Sequence, residues 1–489
     1  MGIVAGLDSS SESTRIVVCD ADTGAVIRQG YAPHPAEKGH EIDPQAWLMS
    51  LGEAAGNGLL EGVQAIGVSA QQQGMLPLDA DGALVRAALV GNDKRAQSAA
   101  ADLVDALGGR AAWTQAVGAV PHAAQPLTKL RWLARNEPAN AARVAEVLQP
   151  HDWLVWQLLG RPARRTTDRG GASGTGYWSA AAGAYRPDLV ELALGHQVRL
   201  PEVLGPSGTA GFTPEGLLIS AGTGETMAAA FGLGVGAGDA VVSLGASGSV
   251  FGIHHEALAD SNGTITSFAD ATGMHLPVVH TSNAVRVLRG TAEMLGTDLQ
   301  GLSELALKST PGSYGMVLLP YLEGERTPHL PHTAGSLHGL RRESMKPEHL
   351  ARAAFEGMLC GLADALDVLR GRGVEVRRVF LLGAAAELGA VQAAAPGLFG
   401  AQVVVPQPAD YAALGAARQA AWALGAARQA AWALGAAHGT LAPHEPPRWP
   451  AAASQVFEPG EDLPVGQAVR QQYIAVREES YAGAFLSAQ

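Results

Sequence analysis

The 489-residue chain has only two cysteines, Cys19 and Cys360. Two thiols make neither a disulfide framework nor a metal-ligand cluster, and they read as buried, reduced side chains. Charge is sparse as well. Only 16% of residues are charged, and 34 basic against 46 acidic side chains give a net charge of −12. That balance argues against a polyphosphate-binding surface, and so against nucleic acid as the main partner. A single nucleotide remains open, because glycine turns hold phosphate through backbone N–H groups without a basic surface. Long apolar runs are also missing. No stretch approaches about 18 uninterrupted apolar residues, so no membrane span is expected. The first residues enter an apolar strand with no basic or long apolar leader, and a cytoplasmic protein is expected.

What the chain does hold is 47% apolar residues and 61 glycines. This is a globular composition, and the length exceeds one hydrophobic core, which predicts two large domains. Ile3–Leu7 and Ile16–Cys19 are short, β-branched segments around a polar turn, with a third strand after Asp22-Thr23-Gly24. Helical patterns over 44–60, 96–107, 126–136 and 151–159 alternate with a strand over 64–70, which predicts an α/β domain. Near Asp239 the opening is echoed: the apolar Ala240–Leu244, the turn Gly245-Ala246-Ser247-Gly248, then Val250–Ile253. Two similar halves follow, 1–238 and 239–489, with the glycine-rich 232–238 as a hinge or a plain loop.

One segment is duplicated. Ala413–Trp422 recurs identically as Ala423–Trp432, with a third, partial copy from Ala433. Its alanines predict helix. Ten residues at about 100° each do not return to the same face. One copy therefore packs, and the other lengthens the helix or bends it at Gly415, Gly425 or Gly435.

Four segments carry candidate chemistry. In Asp8-Ser9-Ser10-Ser11-Glu12-Ser13-Thr14-Arg15 an acid ends a strand and small hydroxyl residues make the turn. Such a turn aims donors at phosphate, with Asp8 placed to hold hydrated Mg²⁺ and Arg15 to face a phosphate. Gly245-Ala246-Ser247-Gly248 is a second compact turn. Gly222-Thr223-Gly224-Glu225-Thr226 reads as a glycine loop entering a helix, with a carboxylate that could act as general base on a hydroxyl. Pro320 to His329 is a dense polar loop bounded by prolines.

That last segment, with Pro320-Tyr321-Leu322 followed by Gly324-Glu325-Arg326-Thr327-Pro328, resembles a signature of the FGGY carbohydrate kinases, most of all the members that phosphorylate xylulose. Further segments match in order along nearly the whole chain. They include Gly6-Leu7-Asp8, Gln71-Gln72 with Gly74-Met75, Asn92-Asp93 with Arg95, Lys129-Leu130, Thr167-Asp168, Glu356-Gly357 and Ala413 to Arg418. The resemblance implies an α/β fold of two actin-like, ribonuclease H-like domains with an interdomain cleft. It implies transfer of the ATP γ-phosphate, with Mg²⁺, to a hydroxyl of a small ketose or polyol such as D-xylulose, as a monomer or a homodimer. By resemblance Glu225 and Asp8 are catalytic, and Asp8 is also the metal ligand. Ser10, Ser11, Ser13, Arg15, Gly245, Ala246, Ser247, Gly383 and Ala384 bind ATP. Gln73, Gly74, Met75, Asn92, Asp93 and Thr226 bind the acceptor.

The departures from the family pattern gather in the same region. Ser10 stands for a glycine, and Glu12 adds negative charge to the first turn. Glu225-Thr226 replaces Asp-Asn. Gln73 replaces a histidine, and Gly91 a tryptophan, which predicts a wider pocket. Ala246 replaces a threonine. Gly383-Ala384-Ala385-Ala386-Glu387 replaces Gly-Gly-Gly-Ala-Arg, and the added Cβ atoms are expected to crowd the nucleotide. Two further readings follow: a kinase with an altered acceptor, and a weakly active or non-catalytic sugar- or nucleotide-binding homologue.

Overall fold

The β-branched opening folds as an antiparallel ladder of Ile3–Ser9, Ser13–Asp20 and Val26–Pro33. Ala65–Ala70 joins Ile3–Ser9 in parallel, and Leu218–Ser220 and Thr209–Phe212 extend the sheet beyond it. A short seventh strand, Thr223–Gly224, also pairs in parallel with Ala65–Ala70. The second half repeats the plan. Gly238–Leu244 pairs antiparallel with Gly248–Gly252 and parallel with Val376–Leu382, in a seven-stranded sheet that runs from Ile265–Ala269 to Ser454–Phe457. This computed structural model describes residues 2–35, 40–258, 260, 262–435, 445–451, 453–460 and 463–481. Among them, no helix is long and apolar enough to cross a membrane.

Alternation along the opening strands sends side chains to two different cores. Ala5, Leu7, Ile16 and Val18 pack on one face with Trp47 and Trp153, whose rings meet edge to face at 6.2 Å. Val4, Val17 and Cys19 face the other way and are covered by Ala413, Ala417 and Ala420. Those alanines lie on the helix Tyr411–Gly435, so a segment from late in the chain caps the first sheet. Small residues let it lie backbone to backbone. A Cβ on Gly6 would stand 1.8 Å from the Ala413 carbonyl oxygen, and one on Gly415 would stand 1.8 Å from that of Ala228.

The duplication resolves as one continuous helix with no break at Gly415 or Gly425. The first copy packs and the second extends it, into different surroundings. Arg418 donates to the carbonyls of Phe231 at 2.8 Å and Pro447 at 2.9 Å, whereas its twin Arg428 donates to Gln64 Oε1 at 2.7 Å. The third, partial copy runs on into residues outside those described. The glycine-rich 232–238 stretch is pinned rather than loose: Gly236 N–H bonds Asp239, which is itself paired with Arg378.

Candidate active site

Strand register brings the two candidate carboxylates together. Asp8 lies opposite Ser69, and Thr223 lies opposite the same Ser69 from the other side. All three strands are parallel and end at one edge of the sheet, where ligands of open α/β sheets gather. Asp8 is therefore the last buried acid of one strand, and Glu225 opens the helix Glu225–Leu233 that follows the other. Ser69 Oγ donates to Asp8 Oδ1 at 2.7 Å. Burial outweighs that bond and pushes the Asp8 carboxyl up to about 6. Glu225 is half-buried, and burial, then the Asp8 charge, push it up to about 8.

The loop that carries Glu225 is braced from behind. Thr223 Oγ1 donates to Asp168 Oδ2 at 2.8 Å, and the Gln419 amide donates to the Gly222 carbonyl at 3.0 Å. Asp168 also accepts the Gly170 and Gly171 N–H groups, at 2.8 and 2.7 Å. Against its burial, Asp152 and Asp168 push His151 up to about 10. Buried with the two acids, it forms a charged knot under the loop. Asp168 and Gln419 sit in segments with a sequence signal, but their role as props appears only once the chain is folded.

Beside these acids opens a cleft of about 1180 Å³ between the two halves. The first half contributes Gln72, Gln73, Gly91, His122 and Thr226, and the second contributes Phe268, His280 and Arg326. Burial and the Arg326 charge push His122 down to about 3 and His280 down to about 4, so both present neutral imidazoles near neutral pH. Glu325, behind Arg326, accepts the Asn283 amide at 2.9 Å and the Arg326 N–H at 2.7 Å. The proline-bounded loop is thereby fixed against the cleft wall. His122, His280 and Phe268 carry no motif of their own, and only the fold gathers them.

Gln73 and Thr226 thus line the cleft, but four other acceptor candidates do not. Met75 is fully buried and packs in the core behind the wall. Asp93 is buried and committed to Arg95, by an ion pair at 2.6 Å and the backbone N–H at 2.9 Å. Gly74 packs against Pro150, and Asn92 is exposed outside the lining. Gly91 is a wall residue, but it is more than an enlargement of the pocket. A Cβ there would stand 2.5 Å from the Gln72 carbonyl oxygen, so the backbone runs where a larger residue would not fit.

The two candidate phosphate turns also differ in detail from expectation. The Ser10 N–H and hydroxyl both bond the Ser13 carbonyl, at 3.1 and 3.3 Å, and Ser13 is buried. Ser11 is left exposed at the tip, and Arg15 pairs with Asp410 rather than standing free. In the second half Gly245, Ala246 and Ser247 are exposed. The Gly245 and Ala246 carbonyls accept the Val285 and Ala284 N–H groups at 3.0 and 3.2 Å. Gly383 abuts this turn: at φ 104°, a Cβ on it would lie 2.5 Å from the Leu244 carbonyl oxygen. Ala384 is exposed beside it, but Ala385 and Ala386 point into the second core. Of the two alanines that stand for glycines, Ala384 thus keeps its methyl group on the exposed side and Ala385 turns its own inward.

Comparison with known proteins agrees with this architecture. Residues 3–242 match the FGGY family of carbohydrate kinases, N-terminal domain, and residues 240–424 match its C-terminal domain. The xylulose kinase of Streptomyces coelicolor is 39% identical over 86% of this chain and 87% of its own length. That of Streptomyces rubiginosus is 38% identical over 93% of this chain and 92% of its own length. The crystal structure of xylulose kinase from Bifidobacterium adolescentis superposes with a TM-score of 0.88 at 36% identity, covering 97% of this chain and 99% of that one. With two carboxylates at one sheet edge and a cleft between repeated halves, the chain is a sugar-phosphorylating enzyme that belongs to the FGGY family of carbohydrate kinases.

Proposed function

We propose that the cleft phosphorylates a small ketose, D-xylulose, with ATP as donor, and that Glu225 is its general base. The observation that carries this reading is the convergence of Asp8 and Glu225 on either side of the strand Ala65–Ala70, next to Gln72 and Thr226 of the cleft wall. The relatives and the crystal structure above, named as xylulose kinases, give the acceptor class.

In this reading the first half, 1–238, holds the acceptor and the first phosphate turn, and 239–489 holds most of the nucleotide site. The exposed backbones of the two turns and of Gly383-Ala384 face the phosphates. Gln73 and Thr226 orient the acceptor, and His122 and His280 offer neutral hydrogen-bonding edges. Glu225 takes the proton of the attacking hydroxyl as the new O–P bond forms and the bridging P–O bond of ATP breaks, leaving ADP. Asp8 suits Mg²⁺: a buried carboxylate whose lone charge is disfavoured is the oxygen donor that a hard cation takes. When bound, the ion supplies charge neutralisation to the phosphates. Arg15 stands ready beside them, held by Asp410.

The test is Mg²⁺-dependent ADP release from ATP by the purified protein with a panel of ketoses and polyols, and Glu225→Ala as control. Release that depends on D-xylulose and is lost in the variant supports the reading. Release with another acceptor alone would move the specificity. No sugar-dependent release would leave the cleft a binding site and sink the kinase assignment.

A further inference from the structure

Lys129 is fully buried on the helix Pro126–Asn136, and no step above uses it. An ammonium has three donors. Here they are committed to backbone carbonyls of two other segments: Gln73 at 2.6 Å, Val90 at 2.8 Å and, more weakly, Leu89 at 3.4 Å. Asp93, Arg95 and His122 face it electrostatically, but the Asp93 carboxylate is taken up by Arg95. A buried cation with carbonyl partners in place of a direct ion pair is costly to keep, and it joins two segments. Both are walls of the acceptor side. Gln73 lines the cleft with its backbone in the left-handed region at φ 63°, a conformation its own side chain disfavours. Val90 leads directly into Gly91, whose Cα lies so close to the Gln72 carbonyl that no Cβ fits between them.

We propose that Lys129 is a positioning residue for acceptor selection: it ties the Gln73 turn to the Val90–Gly91 loop and so sets the width of the acceptor pocket. This rests on the kinase reading of the cleft. Burial pushes the ammonium down to about 7. The tie therefore has all its donors below that pH and loses one above it, when a lone pair comes to face the carbonyls.

The test compares the full-length protein with Lys129→Met, by calorimetric titration of D-xylulose without nucleotide at pH about 6 and about 8.5, by the KM for ATP, and by amide hydrogen exchange. Wild type should bind the sugar more weakly at the higher pH. Lys129→Met should bind it about 10- to 100-fold more weakly at the lower pH and show a smaller pH step, only the part that Glu225 and Asp8 contribute, with the KM for ATP unchanged. Exchange should quicken at 72–75 and 88–92 but not in the 411–435 helix. The proposal is overturned if the variant keeps wild-type affinity and its pH step, if exchange at 72–75 is unchanged, or if exchange rises throughout the domain. If wild type binds no sugar, the kinase reading fails by itself, and the exchange pattern alone decides whether the tie exists.

Discussion

Glu225 gives the sharpest prediction. A positioned general base contributes about 10²- to 10⁴-fold, so Glu225→Ala should lower kcat by that factor with the KM for the acceptor little changed. The structure also gives the pH dependence a direction. Burial, and then the Asp8 charge, hold this carboxyl up at about 8 in the free protein. Because kcat/KM reports the free enzyme, its acid limb should fall tenfold per pH unit below the Glu225 midpoint, and Mg²⁺ held at Asp8 should draw that midpoint down by offsetting the Asp8 charge. Glu225→Asp keeps a carboxylate but draws it back by one methylene. It should lose up to about 10²-fold while keeping an acid limb. The assay is initial-rate ADP release with D-xylulose, across pH about 6 to about 9, for all three proteins. Two results would refute the reasoning: Glu225→Ala within threefold of wild type, or an acid limb that survives in Glu225→Ala with the same midpoint. Either would assign the proton to another group.

The same raised carboxyl bears on stability. Its folded value lies above the ordinary 4.5, so ionisation in the empty protein disfavours the fold. The penalty is absent below about 4.5, grows as pH rises, and is complete above about 8. Glu225→Gln should therefore raise Tm by a few degrees at pH about 8.5 and hardly at pH about 5, read by calorimetric melting. Gly91→Ala should both raise the acceptor KM and lower Tm, since the new methyl group would stand 2.5 Å from the backbone Gln72 carbonyl at the cleft wall; initial rates and calorimetric melting read the two effects. A matched pair tests the duplicated helix. Ala420→Leu overpacks a fully buried site and should lower stability by about 1–3 kcal/mol, while Ala430→Leu, at the equivalent but half-exposed position, should be nearly neutral in denaturant melts.

The parts of this molecule that were legible in the sequence are those written in local pattern. Asp8 at the end of a β-branched run, the hairpin turn after it, its echo at residue 245 and the acid at a helix start are all short-range signals. The α/β repetition followed from them. The cleft walls were not legible, because their residues come from strands and loops far apart in the chain: Phe268 from an edge strand, His280 from its neighbour, His122 from a helix-to-helix connection. Met75 and Asp93 misled for the opposite reason. They stand two residues from the wall residues Gln73 and Gly91, which lie in turns, and the change of chain direction there carries both side chains into the interior. Ala384 and Ala385 also differ in a way the sequence does not carry, the first exposed and the second buried. Substitution by alanine was visible, but the direction of the methyl group is a property of the fold.

The helix that caps the first sheet has an implication for biosynthesis. The strands it covers are all made by residue 224, yet the helix begins at Tyr411, about two thirds of the way through the second half. At about 5–20 residues per second, roughly ten to forty seconds pass on the ribosome with Val4, Val17 and Cys19 lacking their cover. A nascent chain in that interval carries an apolar sheet face open to any passing partner. It should therefore lean on chaperones during translation far more than two self-sufficient domains joined end to end would, and a fragment that stops at the domain boundary should aggregate however well its strands pair.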